Sequence, residues 1–358
     1  MKILIPQARK GIALIIVMIA IFVLSVLVGA FAFSMKVETK LAMNANHDAE
    51  LIWLGRSGVE LARYVLAQQL LIAGEPYDSL NQKWAGGPGG IASSNSPLAN
   101  ISLDHYQIGD GTVTLKITDL ERKFNINQAD EQILQQALTL VGVDAGEIPR
   151  ISAAIFDWID PDDVTHVNGA ESDYYQSLNP PYYAKNKPID DLSELLLVRG
   201  ITEDMYWGSA STNHVAAAFQ QVDRFGRLIE EPTYSVGLEE IFTPLSSGRI
   251  NVNTASLTTL QTIPLVDANA ASEIIKLRSG PDGADGTEDD TPYRNVGELI
   301  NTGLSRQAIP QISRYCDVRS RAFDVQVTAD IGGYSRRFHA IIGRNSQRDV
   351  QVLSFDWK

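Results

Sequence analysis

The sequence predicts an α+β protein in which one long N-terminal helix lies on an antiparallel sheet and a large duplicated helical insertion separates the strands. Three observations carry this reading. An uncharged apolar run leads without interruption into a helical stripe. Two strand-rich blocks stand far apart in the chain. The stretch between them repeats itself.

The helix comes first. Residues 12–33 carry no charge, and about 20 such residues span a bilayer. Lys2, Arg9 and Lys10 precede them and would hold the N-terminus on the cytoplasmic side. The run is longer than the roughly 7–15 apolar residues of a cleaved secretory signal. A lipoprotein signal is excluded because the single cysteine, Cys316, lies far away. Beyond the run, Val37, Leu41, Ala45, Ala49, Ile52, Val59, Ala62, Leu66 and Leu70 recur at the spacing of one helix face. No proline falls between Gly11 and Glu75, with Gly29, Gly55 and Gly58 as the softening positions. A single helix from Ile12 to about Ile72 would be roughly 90 Å long at about 1.5 Å per residue.

GGPGG at 86–90 and SSNSP at 93–97 then mark a loop. DHYQIGDGTVTLKITDLE (104–121) predicts a hairpin: Val113, Leu115 and Ile117 alternate with polar residues, and Gly109-Asp110-Gly111 form the turn. FDVQVTADIGGYSRRFHAIIG (323–343) predicts a second hairpin around Gly332-Gly333, and VQVLSF (350–355) a last strand.

Between these blocks FNINQAD (124–130) matches INVNTAS (250–256), with Asn125/Asn251, Asn127/Asn253 and Ala129/Ala255 in register. PIDDLSELLLVRGI (188–201) likewise matches PYRNVGELINTGL (292–304) through Pro188/Pro292 and Glu194-Leu195/Glu298-Leu299. Two copies of one helical unit explain both pairs. Asn-x-Asn before a helix acts as a turn and cap. NTASLTTLQTIPLVDANAASEIIKLR (253–278) resembles a helix-hairpin-helix, or SAM-like, unit of DNA-binding proteins. That family's hairpin uses glycines so that backbone amides approach a phosphate. Leu265 and Asp267 stand there in this chain, and Asp267 would repel phosphate.

Each copy carries an acidic loop, DWIDPDDVTHVNGAESDYY (157–175) and SGPDGADGTEDDTPY (279–293). Calcium takes six to eight oxygens and favours carboxylate-dense loops with glycine turns. Asp160, Asp162, Asp163, Glu171 and Asp173 would supply them in the first loop, and Asp282, Asp285, Thr287, Asp289 and Asp290 in the second. Neither loop has EF-hand spacing, and both read equally as solvated turns. Asp157 to Asp163 would also suit a metal-activated water, but no histidine cluster accompanies them.

The formal net charge of −13, from 30 basic and 43 acidic residues, argues against nucleic acid as a partner. His47, His105, His166, His214 and His339 are scattered without an HExxH pair, and no phosphate loop or nucleophile elbow is present. No enzymatic activity is expected.

The basic leader ending in Lys10-Gly11, with the two-part helix behind it, resembles the type IV pilins and pseudopilins. DWID, GAE and SELLLVRG within a helical insertion are similar to the K-type minor pseudopilins of type II secretion. The resemblance implies a leader 1–11 cut between Gly11 and Ile12 by a prepilin peptidase, with methylation of the new N-terminus. It implies a transmembrane part 12–33 in the inner membrane, a periplasmic helix and first strands 34–123, the insertion 124–305 and closing strands 306–358. It further implies calcium, the I-type and J-type minor pseudopilins and the inner-membrane secretion platform as partners, and a place at the tip of a periplasmic pseudopilus, with a part in its initiation and in protein export. The family usually has glutamate at the fifth mature position, where this chain has Ile16. Two other readings are a minor pilin of a type IV pilus and a membrane-anchored periplasmic DNA-binding protein.

N-terminal sequencing of mature protein should begin at Ile12, and a bulky residue in place of Gly11 should leave the leader attached. An intact Met1, or a start at Phe33, would contradict the pilin resemblance.

Overall fold

A computed structural model of the chain describes residues 10–89, 96–210 and 234–357. Helix α1 runs unbroken over Lys10–Gln69. Among the described residues it is the one helix long and apolar enough to cross a membrane. Residues 12–43 are exposed throughout, whereas Leu51, Leu54, Val59, Ala62, Val65 and Leu66 are buried. The expected stripe therefore divides. Its part from Val37 to Ala49 stays exposed, and packing begins where the sheet begins. The far tip of the sheet reaches His47, whose ring stacks on Tyr334 with centroids 4.8 Å apart.

Among the described residues the strands in chain order are β1 (Tyr106–Ile108), β2 (Gly111–Asp119), β3 (Phe124–Asn125), β4 (Phe242–Thr243), β5 (Ile250–Asn251), β6 (Cys316–Asp317), β7 (Ala322–Ile331), β8 (Tyr334–Ser346) and β9 (Asp349–Trp357). Five form an antiparallel sheet in the order β1-β2-β7-β8-β9. Both expected hairpins are present. Ile331 pairs with Tyr334 across Gly332-Gly333, whose φ values of +57° and +83° suit a turn of the hairpin type. Val113, Leu115 and Ile117 point alternately inward to meet α1, so the period of two in the sequence is the burial pattern of the strand.

Gly55 and Gly58 are explained by this packing. A Cβ on Gly55 would collide with the Phe338 ring on β8, and one on Gly58 with a methyl of Val327 on β7. Glycine costs about 1 kcal/mol against alanine in a helix, which the close approach of helix to sheet offsets.

The insertion leaves the sheet after β2 and returns at β7, its adjacent antiparallel neighbour. Its apolar cluster runs from Phe124 to Val318 and is distinct from the cluster between α1 and the sheet. Two copies of one unit are visible. The first opens with β3 and closes with β4, and the second opens with β5 and closes with β6, each pair parallel. Asn125 Oδ1 accepts from the N–H of Asn127 at 2.9 Å, and Asn251 Oδ1 from that of Asn253 at 3.0 Å.

The second asparagine of each pair is a clamp rather than a cap. Asn127 bonds the N–H and C=O of Ile189 at 2.7 and 3.0 Å, and Asn253 bonds those of Tyr293 at 2.8 and 3.0 Å. Ile189 and Tyr293 directly follow the matched prolines Pro188 and Pro292. The caps of the following helices come from Asp130 and Ser256. At the second hairpin, Leu265 takes φ +71°, the left-handed region that favours glycine, and Asp267 caps helix Ala268–Arg278 through Ala270 N–H at 2.8 Å.

Asn253→Ala should destabilise the protein by about 2–4 kcal/mol in denaturant titration of the detergent-solubilised chain, because two backbone groups lose buried partners. Leu265→Gly should stabilise it by about 1 kcal/mol, since Leu265 is more than half exposed and little packing is lost.

Candidate metal centre

The first acidic loop begins where helix Ile148–Ile159 ends. Ile151, Ala154, Ile155 and Trp158 face the core of the insertion, which turns Asp157 on the same helix fully inside. Asp160 is extended and Pro161 follows, so the chain cannot continue as helix. It passes His166 and Gly169, then reaches Glu171 at the start of helix Ser172–Gln176. A Cβ on Gly169 would strike the Asp157 carboxylate, so only glycine lets the backbone cross there.

The donor atoms of Asp157, Asp160 and His166 lie within 4.8 Å of one another, as do those of Asp160, Asp162 and Glu171. Asp160 belongs to both groups. Asp157 Oδ1 accepts the His166 N–H at 3.0 Å and lies 2.5 Å from His166 Nδ1. Asp157 Oδ2, Asp160 Oδ1, both carboxylate oxygens of Glu171 and Asn186 Oδ1 are buried without a hydrogen-bond partner. Asp157 is 0% and Glu171 3% exposed.

A buried carboxylate without a counter-charge is costly, and several oxygens share that condition here. Burial pushes the Glu171 carboxyl up to about 7, reinforced by Asp157, Asp160 and Asp163. Asp160 is raised by burial and then by Asp162 and Asp157. The hydrogen bond that His166 donates to the Asp157 carboxylate raises its pKa. Among the described residues, His166 is the one basic group paired with these carboxylates. Unsatisfied oxygens converging on one loop would suit a hard divalent cation, which Asp160 could hold either with Asp157 and His166 or with Asp162 and Glu171.

Of the residues expected from the sequence, Asp160, Asp162 and Glu171 come together. Asp163 is tied instead to Ser172 Oγ at 3.1 Å and Asn186 Nδ2 at 2.9 Å. Asp173 is exposed on its short helix, outside both groups. Asp157, His166 and Asn186 join the loop although the sequence reading left them out of the ligand set. The signal for His166 was its place between Asp163 and Glu171, masked by four unrelated histidines elsewhere.

The second loop is arranged otherwise. Arg278, 4% exposed, grips Asp285 through Nε at 3.0 Å and Nη2 at 2.6 Å, and Ser279 Oγ donates to it at 3.0 Å. Asp289 accepts from Asp282 N–H at 3.0 Å and Thr287 Oγ1 at 2.8 Å. Asp290 accepts from Gly286 N–H at 2.8 Å, and Asp282 from Ala284 N–H at 2.8 Å. These carboxylates already have donors, and one has a cation.

A long helix on a small antiparallel sheet, carrying its extra mass between two strands, is a pilin-like fold. Residues 114–210 match the family model described as Type II secretion system (T2SS), protein K. The putative type II secretion system protein K of Escherichia coli K12 is 26% identical over 212 residues, covering 55% of this chain and 60% of that protein. The protein K of Pectobacterium carotovorum is 31% identical over 116 residues, 28% of this chain and 35% of the relative. That of Pseudomonas aeruginosa is 22% identical over 297 residues, 80% and 77% of the two chains. The matches thus span between about a third and three quarters of these relatives. In fold, the chain is similar to one from the crystal structure of the GspK-GspI-GspJ complex of enterotoxigenic Escherichia coli. The TM-score is 0.59 at 18% identity, covering 88% of this chain and 99% of that one. Family model, relatives and fold together support a K-type pseudopilin of type II secretion.

Gly169→Ala should force Asp157 from its place and lower stability by about 1–3 kcal/mol in the same denaturant titration.

Proposed function

We propose that this chain is the minor pseudopilin that caps the tip of a periplasmic pseudopilus, takes part in its initiation and so serves protein export. It is made with a leader that prepilin peptidase removes after Gly11. Residues 12–33 then hold it in the inner membrane, N-terminus cytoplasmic, until it joins I-type and J-type minor pseudopilins on the secretion platform. Its work is assembly rather than catalysis.

The observation that carries the capping role is Ile16. In related subunits a carboxylate at this position is matched to a neighbour, and burying it unmatched would be costly. An isoleucine has no charge to satisfy, so no subunit is required on that side. The insertion supports the same reading, because a full ring of copies carrying that mass would clash. The fold likeness to a chain of the GspK-GspI-GspJ complex supports the choice of partners.

Calcium is the proposed ion of the acidic loops. In the first loop it would supply the positive charge that the orphaned oxygens lack and fasten the stretch from Asp160 to Asn186 into one shape. Its share in the second loop is the smaller, since Arg278 already serves Asp285.

Labelled protein should appear at filament ends and never along the shaft; even labelling along the shaft would refute capping. Ile16→Glu should assemble poorly, because a tip subunit would bury an unpaired carboxylate at a cost of several kcal/mol or a raised pKa. Chelation should lower the melting temperature, and calcium at a hundred times its Kd should restore about 2.7 kcal/mol. Glu171→Gln should abolish most of that response while making the metal-free protein more stable, and Asp289→Ala with Asp290→Ala should remove only a small part. A metal-free protein whose melting ignores both chelator and calcium would rule the ion out.

A further inference from the structure

The seam between the sheet and the insertion holds more buried acid than buried base. Asp119, at the end of β2, and Glu121 just beyond it are 2% and 1% exposed. Asp78 lies beside them, and its carboxylate pairs with the buried guanidinium of Arg344. Among the described residues no ion pair reaches Asp119 or Glu121. Their partners are neutral. Asp119 accepts from Thr254 Oγ1 at 2.5 Å, Ser320 Oγ at 2.6 Å, Asn251 Nδ2 at 3.1 Å and Glu121 N–H at 2.8 Å. Glu121 accepts from Ser247 Oγ at 2.7 Å and from the N–H groups of Ser247 and Arg321 at 3.3 and 3.1 Å.

Glu121 therefore laces Ser247, inside the insertion, to Arg321 at the root of β7. The other charged groups around the seam are engaged elsewhere. From the segment after α1, Glu75 takes hydrogen bonds from Gln69 and Gln82 at 2.7 and 2.9 Å. From the insertion, Arg249 lies 3.7 Å from Asp317, and Glu239 holds Lys123 at 2.7 Å. From the return segment, Arg319 donates to Pro76 C=O at 2.8 Å.

We infer that Asp119 and Glu121 form a proton-operated latch that sets how tightly the insertion is held to the sheet. Two buried carboxylates two positions apart, with no cation between them, resist a second charge. Protonated, Glu121 still accepts the two N–H groups and can donate to Ser247 Oγ. Ionised, it adds a second charge beside Asp119. Burial, then the charge of Asp119, pushes Glu121 up to about 7 from 4.5. The closed seam thus binds the proton more tightly than an open one, so its hold is greatest at low pH. That hold weakens as pH rises from about 4.5 through 7 and is constant above.

Hydrogen exchange of the full chain in detergent with saturating calcium, corrected for intrinsic rates, tests this. The amides of Ser247 and Arg321 should open about tenfold more readily at pH 8 than at pH 6, by linkage between those two pKa values. Amides in the centre of the β7–β8 ladder should not change. Glu121→Gln should hold the seam at its slow level at both pH values. Wild-type seam amides without pH dependence, or a Glu121→Gln chain that retains it, would overturn the latch. Should Glu121→Gln not fold, the wild-type comparison decides by itself.

Discussion

The architecture depends on one buried guanidinium. Arg344, on β8, is closed off from solvent and donates to Leu66 C=O of α1, to the Asp78 carboxylate after the helix and to Ser320 C=O at the return of the insertion. Its plane lies over the Phe323 ring with 4.6 Å to the centroid. Helix, sheet, the segment beyond the helix and the root of the insertion meet at this fork. A planar group with five fixed donors can serve four elements at once where a lysine would not. Buried ion pairs add little net stability against apolar packing, yet removing one partner leaves the other charge stranded. Arg344 therefore fixes which way the parts are joined more than how tightly.

The same device recurs in the second copy of the repeat, where Arg278 is buried and reaches Val252 C=O, Ala255 C=O and the Asp285 carboxylate. Among the described residues, the first copy has no such guanidinium paired with its acidic loop. Arg199 is near, but it donates to Gly169 C=O and covers the Tyr174 ring instead of pairing with a carboxylate. Asp78 and Asp285 are thus each met by a buried arginine, whereas the first loop has a half-exposed histidine that leaves five oxygens unserved. Duplication kept the backbone clamps of Asn127 and Asn253 while the charge balance of the two loops diverged.

Much of the fold was legible because it rests on local patterns. The apolar run, both glycine-turned hairpins and the paired asparagines each depend on residues close in sequence. Where sequence reading fell short, distance was the cause. The stripe from Val37 to Ala49 has helical spacing, but only the reach of the β7–β8 hairpin decides where packing begins. The second asparagine looked like a cap because its partner stands 62 residues away in one copy and 40 in the other. Asp157 stood at the edge of the acidic loop, outside the expected ligand set, and His166 looked like one histidine among five. Both enter the loop because Gly169 allows the chain to fold back over the carboxylate. The seam acids gave no signal at all, since Asp119 ends an ordinary alternating strand.

The place of the insertion has a consequence for length. It leaves after Asp119 and returns at Phe323, and these two residues face each other as neighbours on adjacent strands. A chain segment whose ends are already held at ladder distance behaves as an enlarged hairpin turn. Each doubling of such a loop costs only about 0.6 kcal/mol in closure entropy. Within it, each copy closes on itself through a short parallel pair, so one module can be added after another without shifting any register in the sheet. Bulk at this point is thermodynamically cheap for the sheet, and the site tolerates growth where a strand would not.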